Sequence, residues 1–365
     1  MGRLPHRPTP RRIALTLLAT AAAVPLAAGP ALADPAPTAP RDRTPTAPYF
    51  PDPTAPKPTA PNPTAPNPTA PDPTAPLAPG PTAPVVHPLA TSTASQQALA
   101  RFWTPQRMRS ATPMDTLTSA RRITPEQVKK GLPAVVQYSQ PNGGAAWTGG
   151  GAITKTAGRV FFTYQGRTAS CSGDAITSSN KSVVVTAGHC VKLGGAWHTD
   201  WVFAPGYSNG NAPYGTWAAS KTLSTPQWTA GEDINYDVGA AVVAPLNGQL
   251  LTDVVGGQGI AFNQARGQVM YAFGYPAASP YDGTKLIYCS GSVIDDFLTS
   301  NDQGIGCDQT GGASGGPWFL SFSESAGTGV QNSVNSFKYN FLPNYMFGPY
   351  FGTDAQNLYN TAQAS

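Results

Sequence analysis

From residue 145 onward the chain is written in short β-rich runs: "RVFFTY", "SVVVTAG", "WVFAPGY", "VGAAVVAP", "VMYAFGYP", "KLIYCSGSVI", "GPWFLSF" and "VNSFKY". Branched and aromatic side chains dominate them, and Gly, Pro, Asn and Ser turns separate them. Only the tail "GTDAQNLYNTAQA" carries a helical apolar period. Many short strands of this kind can bury their apolar faces only against a second sheet or by closing on themselves, so the pattern predicts an all-β sandwich or barrel. The stretch is long enough for one sizeable core or two smaller ones.

The front of the chain is different material. Residues 1–33 run from the basic "MGRLPHRPTPRR" through the apolar "IALTLLATAAAVPLAAG" to "ALA" before Asp34, the three parts of a secretory signal peptide. The apolar run is short, Ala-rich and broken by Pro25, so no stable membrane insertion is expected. The pair Arg11-Arg12 leaves a twin-arginine route open. Residues 34–84 then repeat "PTAP" five times between Asp52 and Pro76. With a proline at every second or third position and almost nothing to bury, this segment predicts extended polyproline II, reaching on the order of 150 Å at ~3.1 Å per residue. A wall-crossing stalk and a disposable spacer both fit.

Residues 85–144 read as a basic pro-region, semi-helical from Ala94 to about Lys130. Residues 1–144 carry 14 Lys/Arg against 6 Asp/Glu, and residues 145–365 carry 9 against 13, so the net +4 of the chain conceals an acidic back half. No nucleic-acid partner follows from that balance. A basic leader before an acidic domain fits a pro-segment that docks electrostatically, and a disordered leader fits equally.

Four cysteines, Cys171, Cys190, Cys289 and Cys307, all lie in the β-rich half. An even count behind a signal peptide predicts two disulfides, and of three possible pairings the local one, Cys171–Cys190 with Cys289–Cys307, is expected. Their spacing lacks the short pairs of a zinc site, and no metal or other cofactor is expected.

Ser314 sits among glycines in "CDQTGGASGGPW", a loop whose free N–H groups suit a nucleophile beside an oxyanion hole. Of the four histidines, His6 and His87 fall in the front segments. His189 follows a buried-type strand in "VVVTAGHCV", next to a cysteine that would pin it, as a general base requires. His198 in "GAWHTD" reads as a surface or aromatic-cluster residue. Asp237 in "NYDVGAAVV", at a strand entrance, is the expected acid that orients the imidazole, and Asp233 reads as an exposed loop acid.

In this order, "TAGHC", "YDVGA" and "GGASGGP" make the chain resemble the chymotrypsin-like serine peptidases, and in particular a secreted actinobacterial trypsin-like and glutamyl-endopeptidase-like branch. "RFWTPQRMRS" extends the resemblance into the leader. The resemblance implies two antiparallel six-stranded β-barrels, at about 145–245 and 250–355 within a domain spanning 145–365, and a short C-terminal helix. It further implies a secreted endopeptidase acting on protein or peptide substrates through Ser314, His189 and Asp237 by way of an acyl-enzyme, with the N–H groups of Gly312 and Ser314 as oxyanion hole. Ala313 stands where many animal members carry an activating aspartate, so that switch is absent. A precursor inhibited by its own pro-region, cut between about Lys130 and Trp147, and a monomeric enzyme are the accompanying expectations. Asp308, six residues before Ser314, occupies the spacing at which trypsin-like members bind Lys or Arg; a neutral preference fits as well. Acidic preference in the glutamyl branch leans on a histidine after the serine, and none follows His198 here, so it is not expected. An esterase with the same three residues, or a wall-associated barrel with no activity, are the alternative functions.

Overall fold

A computed structural model describes residues 83–118 and 142–365. The expected signal peptide, the proline-rich stretch to residue 82 and most of the expected processing segment lie outside the described residues.

Six antiparallel strands close the first barrel: Ala157–Tyr164, Arg167–Ile176, Val183–Thr186, Thr199–Pro205, Trp217–Ser224 and Gly239–Val243. Around the ring, 217–224 pairs with 239–243, then come 183–186, 167–176, 157–164 and 199–205. The last returns to the first through Trp217↔Phe203 and Ala218↔Val202. Period-two alternation divides the side chains between two faces. Val160, Phe162, Trp201, Phe203, Trp217 and Ala219 point into the barrel core. Their neighbours Phe161, Val202, Ala204 and Ala218 point outward, yet they too are buried.

The leader covers that outer face. Residues Val85–Pro88 add an edge strand to Lys221–Ser224. The helices Thr93–Phe102 and Pro105–Ser110 are capped by the side chains of Ser92 and Thr104. Ala90, Trp103, Met108 and Ala111 form one apolar cluster with Phe161, Val202, Ala204 and Tyr207. Trp103 also donates its indole N–H to Asp200 O at 2.7 Å. The described part of the leader is therefore docked by apolar burial, worth about 1.5–3 kcal/mol for each large side chain, rather than by its charge.

The second unit is built on two sheets, one of six strands and one of three. Val269–Gly274, Ile287–Ser292, Pro317–Ser323 and Thr328–Val334 belong to the larger, and Asn142–Ala146 lies on its edge. Gln303–Gly306 and Tyr345–Gly348 pair in the other. Met270, Ala272, Ile305, Trp318 and Met346 fill the core between them. The expected disulfides are both present, Cys171–Cys190 in the first barrel and Cys289–Cys307 in the second unit. The tail forms the helix Thr353–Gln363, whose Ala355, Leu358 and Ala362 return to the first barrel's core. The all-β class, the closed six-stranded first barrel and the C-terminal helix agree with the sequence reading.

Candidate active site

The strand Val183–Thr186 is buried throughout and runs into a 3-10 turn, Gly188–Cys190. A side chain at Gly188 would strike the indole of Trp228, so the turn can pass only with glycine there. The Cys171–Cys190 bridge ties its far end to the next strand of the barrel. His189 is thereby held against Asp237, which accepts the His189 backbone N–H at 2.7 Å through Oδ1 and contacts ring Nδ1 at 2.7 Å through Oδ2. Asp237 is fully buried, and Ser336 Oγ donates to its Oδ2 at 2.6 Å. Burial alone pushes the Asp237 carboxyl up, but the facing His189, the two His189 hydrogen bonds and the Ser336 hydroxyl outweigh it and hold the group below the usual carboxylate range.

His198 is buried, not at the surface. Its ring stacks on Phe162 with 4.4 Å between centroids, and its Nε2 lies 2.9 Å from the carbonyl oxygen of His189. Burial pushes its imidazole down to about 3. It is a neutral donor that supports the His189 turn from behind.

Ser314 sits on the turn between Gln303–Gly306 and Pro317–Ser323. Gly312 has φ +98°, Gly315 has φ +78°, and a Cβ on Gly315 would collide with Thr186 Oγ1. The turn is stitched to the first barrel by Ser172, whose N–H donates to Ser314 O at 2.7 Å and whose hydroxyl donates to Gly312 O at 2.9 Å. Asn335 holds its other side by donating to Phe273 O and Ala313 O.

One carboxylate from the leader joins these parts. Thr112–Pro113 pairs with Ala169–Ser170, and Met114 is buried in the first barrel's core. Asp115 is thereby placed over Gly311, whose missing side chain leaves room for it. Asp115 Oδ1 accepts the Ser314 hydroxyl at 2.8 Å, and Oδ2 accepts the Gly312 N–H at 3.0 Å. Its Oδ1 is 3.6 Å from His189 Nε2. Asp115, Ser336 and Ser172 are site residues that the sequence reading did not single out.

These groups line a cleft of about 1090 Å³ that includes Met114, Asp115, His189, Asp237, Ser314 and Ser336. Asp233 is outside it and caps a short turn by accepting Asn235 N at 3.1 Å. Asp308 does not line the cleft either. Its N–H donates to Gly143 O at 2.6 Å, its Oδ1 accepts the Tyr281 hydroxyl at 2.7 Å, and its carboxylate is pressed against Gly144. The arrangement offers a hydroxyl, an imidazole backed by a carboxylate, and a backbone N–H converging on one point, the equipment for acyl transfer.

No family model and no curated protein matches the sequence. Solved structures do. The protease Anisep from Arthrobacter nicotinovorans is 49% identical, with 58% of this chain and 96% of that chain covered at a TM-score of 0.55. A thermostable serine protease, AL20, from an extremophilic microorganism is 43% identical, covering 59% of this chain and 99% of that one at a TM-score of 0.56. With nearly the full length of two proteases matched at such identity, on a fold of a closed six-stranded barrel and a second β unit, the chain belongs to the chymotrypsin-like serine peptidases and is a serine-type endopeptidase.

Proposed function

We propose that the enzyme hydrolyses peptide bonds through Ser314, His189 and Asp237. Ser314 Oγ attacks the carbonyl carbon of the scissile bond and passes its proton to His189 Nε2. The acyl–oxygen bond forms as the carbonyl oxygen takes up negative charge, which the N–H groups of Gly312 and Ser314 receive. His189 then gives its proton to the departing amine, and water repeats the sequence to free Ser314. Asp237, fixed by Ser336, orients His189 and stabilises its charged form. The observation that supports this reading best is the seat of Asp115. Its carboxylate accepts from the Gly312 N–H, where a bound carbonyl oxygen would sit, and from the Ser314 hydroxyl at once.

The same seat makes the leader the enzyme's own inhibitor. With Asp115 in place, the Ser314 hydroxyl is committed to a carboxylate and a substrate carbonyl has no room at the Gly312 N–H. Activation by cutting the chain fits this arrangement. Residues Asn142–Ala146, near the end of the expected window from Lys130 to Trp147, are paired in a sheet, and a cut before Asn142 would spare that pairing. Removal of a signal peptide at residues 1–33 and action outside the cell complete the reading, and the two disulfides fit an oxidising compartment.

Ser314→Ala tests the assignment. The variant should keep the fold and lose on the order of 10⁶ in turnover on a peptide substrate. Activity close to that of the unchanged enzyme would remove Ser314 from the mechanism and leave the family membership standing.

A further inference from the structure

The cleft that holds Ser314 is also lined by two stretches of chain, Gln309–Gly311 and Ser336–Phe341, and the part they line is its chamber. Most of its lining is uncharged. Gln309 is buried, with its amide N–H groups turned to Ala272 O and Ile287 O, and Thr310 gives its hydroxyl to Ala278 O. Met346 and the rings of Phe337 and Tyr339 supply apolar surface. Lys338 is the exception, and its side chain is half-buried beside Ser336.

The Lys338 amine donates to two carbonyl oxygens, Pro343 O at 2.6 Å and Cys307 O at 2.7 Å. An ammonium has three N–H donors, so one remains. None of the ion pairs among the described residues includes Lys338. Asp308 acts on it only at a distance, its carboxylate taken by the Tyr281 hydroxyl. Burial lowers the Lys338 amine to about 8 against the weaker opposite pull of Asp308, which marks a cation that has lost water without gaining a bonded anion. A partly desolvated ammonium in a wall whose other residues are uncharged binds a carboxylate far better than a neutral or cationic group.

On the reading of Ser314 given above, we infer that Lys338 selects substrates with an acidic side chain, Asp or Glu, at the residue before the scissile bond. A carboxylate entering the chamber would take the remaining Lys338 N–H. An Arg or Lys side chain would meet the ammonium as a like charge, and Asp308 faces the strand Asn142–Ala146 instead of the chamber. This replaces the expectation that acidic preference is absent for want of a downstream histidine: the cation is supplied by a lysine.

The test uses the processed enzyme and a set of otherwise identical peptides with Glu, Gln, Leu or Arg before the scissile bond. The expected result is a kcat/KM for Glu over Gln of at least about tenfold. Lys338→Met should bring the Glu/Gln ratio to about one, and Lys338→Arg, which keeps the cation, should hold it well above one. The ratio is read within each variant, so differences in the amount of active enzyme cancel. Equal cleavage of Glu and Gln peptides by the unchanged enzyme, a preference for Arg, or an undiminished ratio in Lys338→Met overturns the proposal. Wild-type enzyme that takes up a serine-reactive fluorophosphonate but shows equal rates refutes Lys338 alone, whereas failure both to label and to cleave refutes the Ser314 reading on which it stands.

Discussion

Asp115→Ala should turn the full-length precursor from a closed to a measurably open enzyme. Asp115 contributes two charge-assisted hydrogen bonds to the blocked state, from the Ser314 hydroxyl and the Gly312 N–H. Its side chain is 35% exposed, so each bond is taken at the low end of the range for charged partners, about 1.5 kcal/mol. Together they give about 3 kcal/mol, and at about 1.4 kcal/mol per decade the population with a free Ser314 rises roughly 100-fold. The leader itself should remain docked, because Met114, Trp103 and Met108 are buried independently of the carboxylate. The assay is the rate at which a fluorophosphonate labels the intact-length band on a gel, which separates precursor from processed enzyme. Asp115→Asn keeps the shape and an acceptor oxygen but loses the charge, and should label at an intermediate rate. If the intact Asp115→Ala band labels no faster than the intact wild-type band, while the processed forms of both label rapidly, then apolar docking alone closes the site and the carboxylate argument fails.

Asp237→Asn should lower turnover by roughly 10⁴, because an amide facing Nδ1 favours the wrong imidazole tautomer, whereas Asp233→Asn should leave turnover almost unchanged; the reverse order in a kcat comparison would move the acid to Asp233. His198 is held neutral by burial, with a folded pKa of about 3 against about 6.5 unfolded, so its contribution to stability is complete above about pH 6.5 and is lost as the pH falls toward 3. In urea unfolding at pH 7.5, 5.5 and 4.5, wild type should therefore lose up to about 1.4 kcal/mol more per pH unit below 6.5 than His198→Phe, and parallel profiles would contradict the burial argument.

His189 and Ser314 were legible because each is flagged by its neighbours in the sequence. A run of valines ending in a small-residue turn beside a cysteine dictates where a strand stops, and glycines on both sides of a serine dictate a loop that only glycine can follow. Asp237 was legible for a similar reason, since the apolar "VGAAVV" after it makes a buried strand whose entrance must hold a polar group for a purpose. Partners that arrive from far along the chain leave no such mark. Ser336 reaches Asp237 across 99 residues, and Asp115 reaches Ser314 across 199. A serine just past a strand and an aspartate in a basic leader are unremarkable in one dimension. The leader's charge left electrostatic docking and disorder equally open; the outward-facing residues of the first barrel, Phe161, Val202 and Ala204, needed an apolar cover, and Trp103 and Met108 supply it. Counting back from the serine put Asp308 at the spacing of a pocket acid, but it does not line the cleft. The count could not tell which way the side chain turns, because that depends on Tyr281 and on the strand at Asn142–Ala146.

The central claim is that Ser314 is the nucleophile of a site that the leader blocks. Mapping the fluorophosphonate adduct by peptide mass spectrometry, on precursor and processed enzyme in parallel, tests it most directly. The account predicts stoichiometric modification of Ser314 in the processed enzyme and little in the precursor. An adduct on another residue, or a processed enzyme that cleaves peptides with Ser314 unmodified after prolonged exposure, would contradict it.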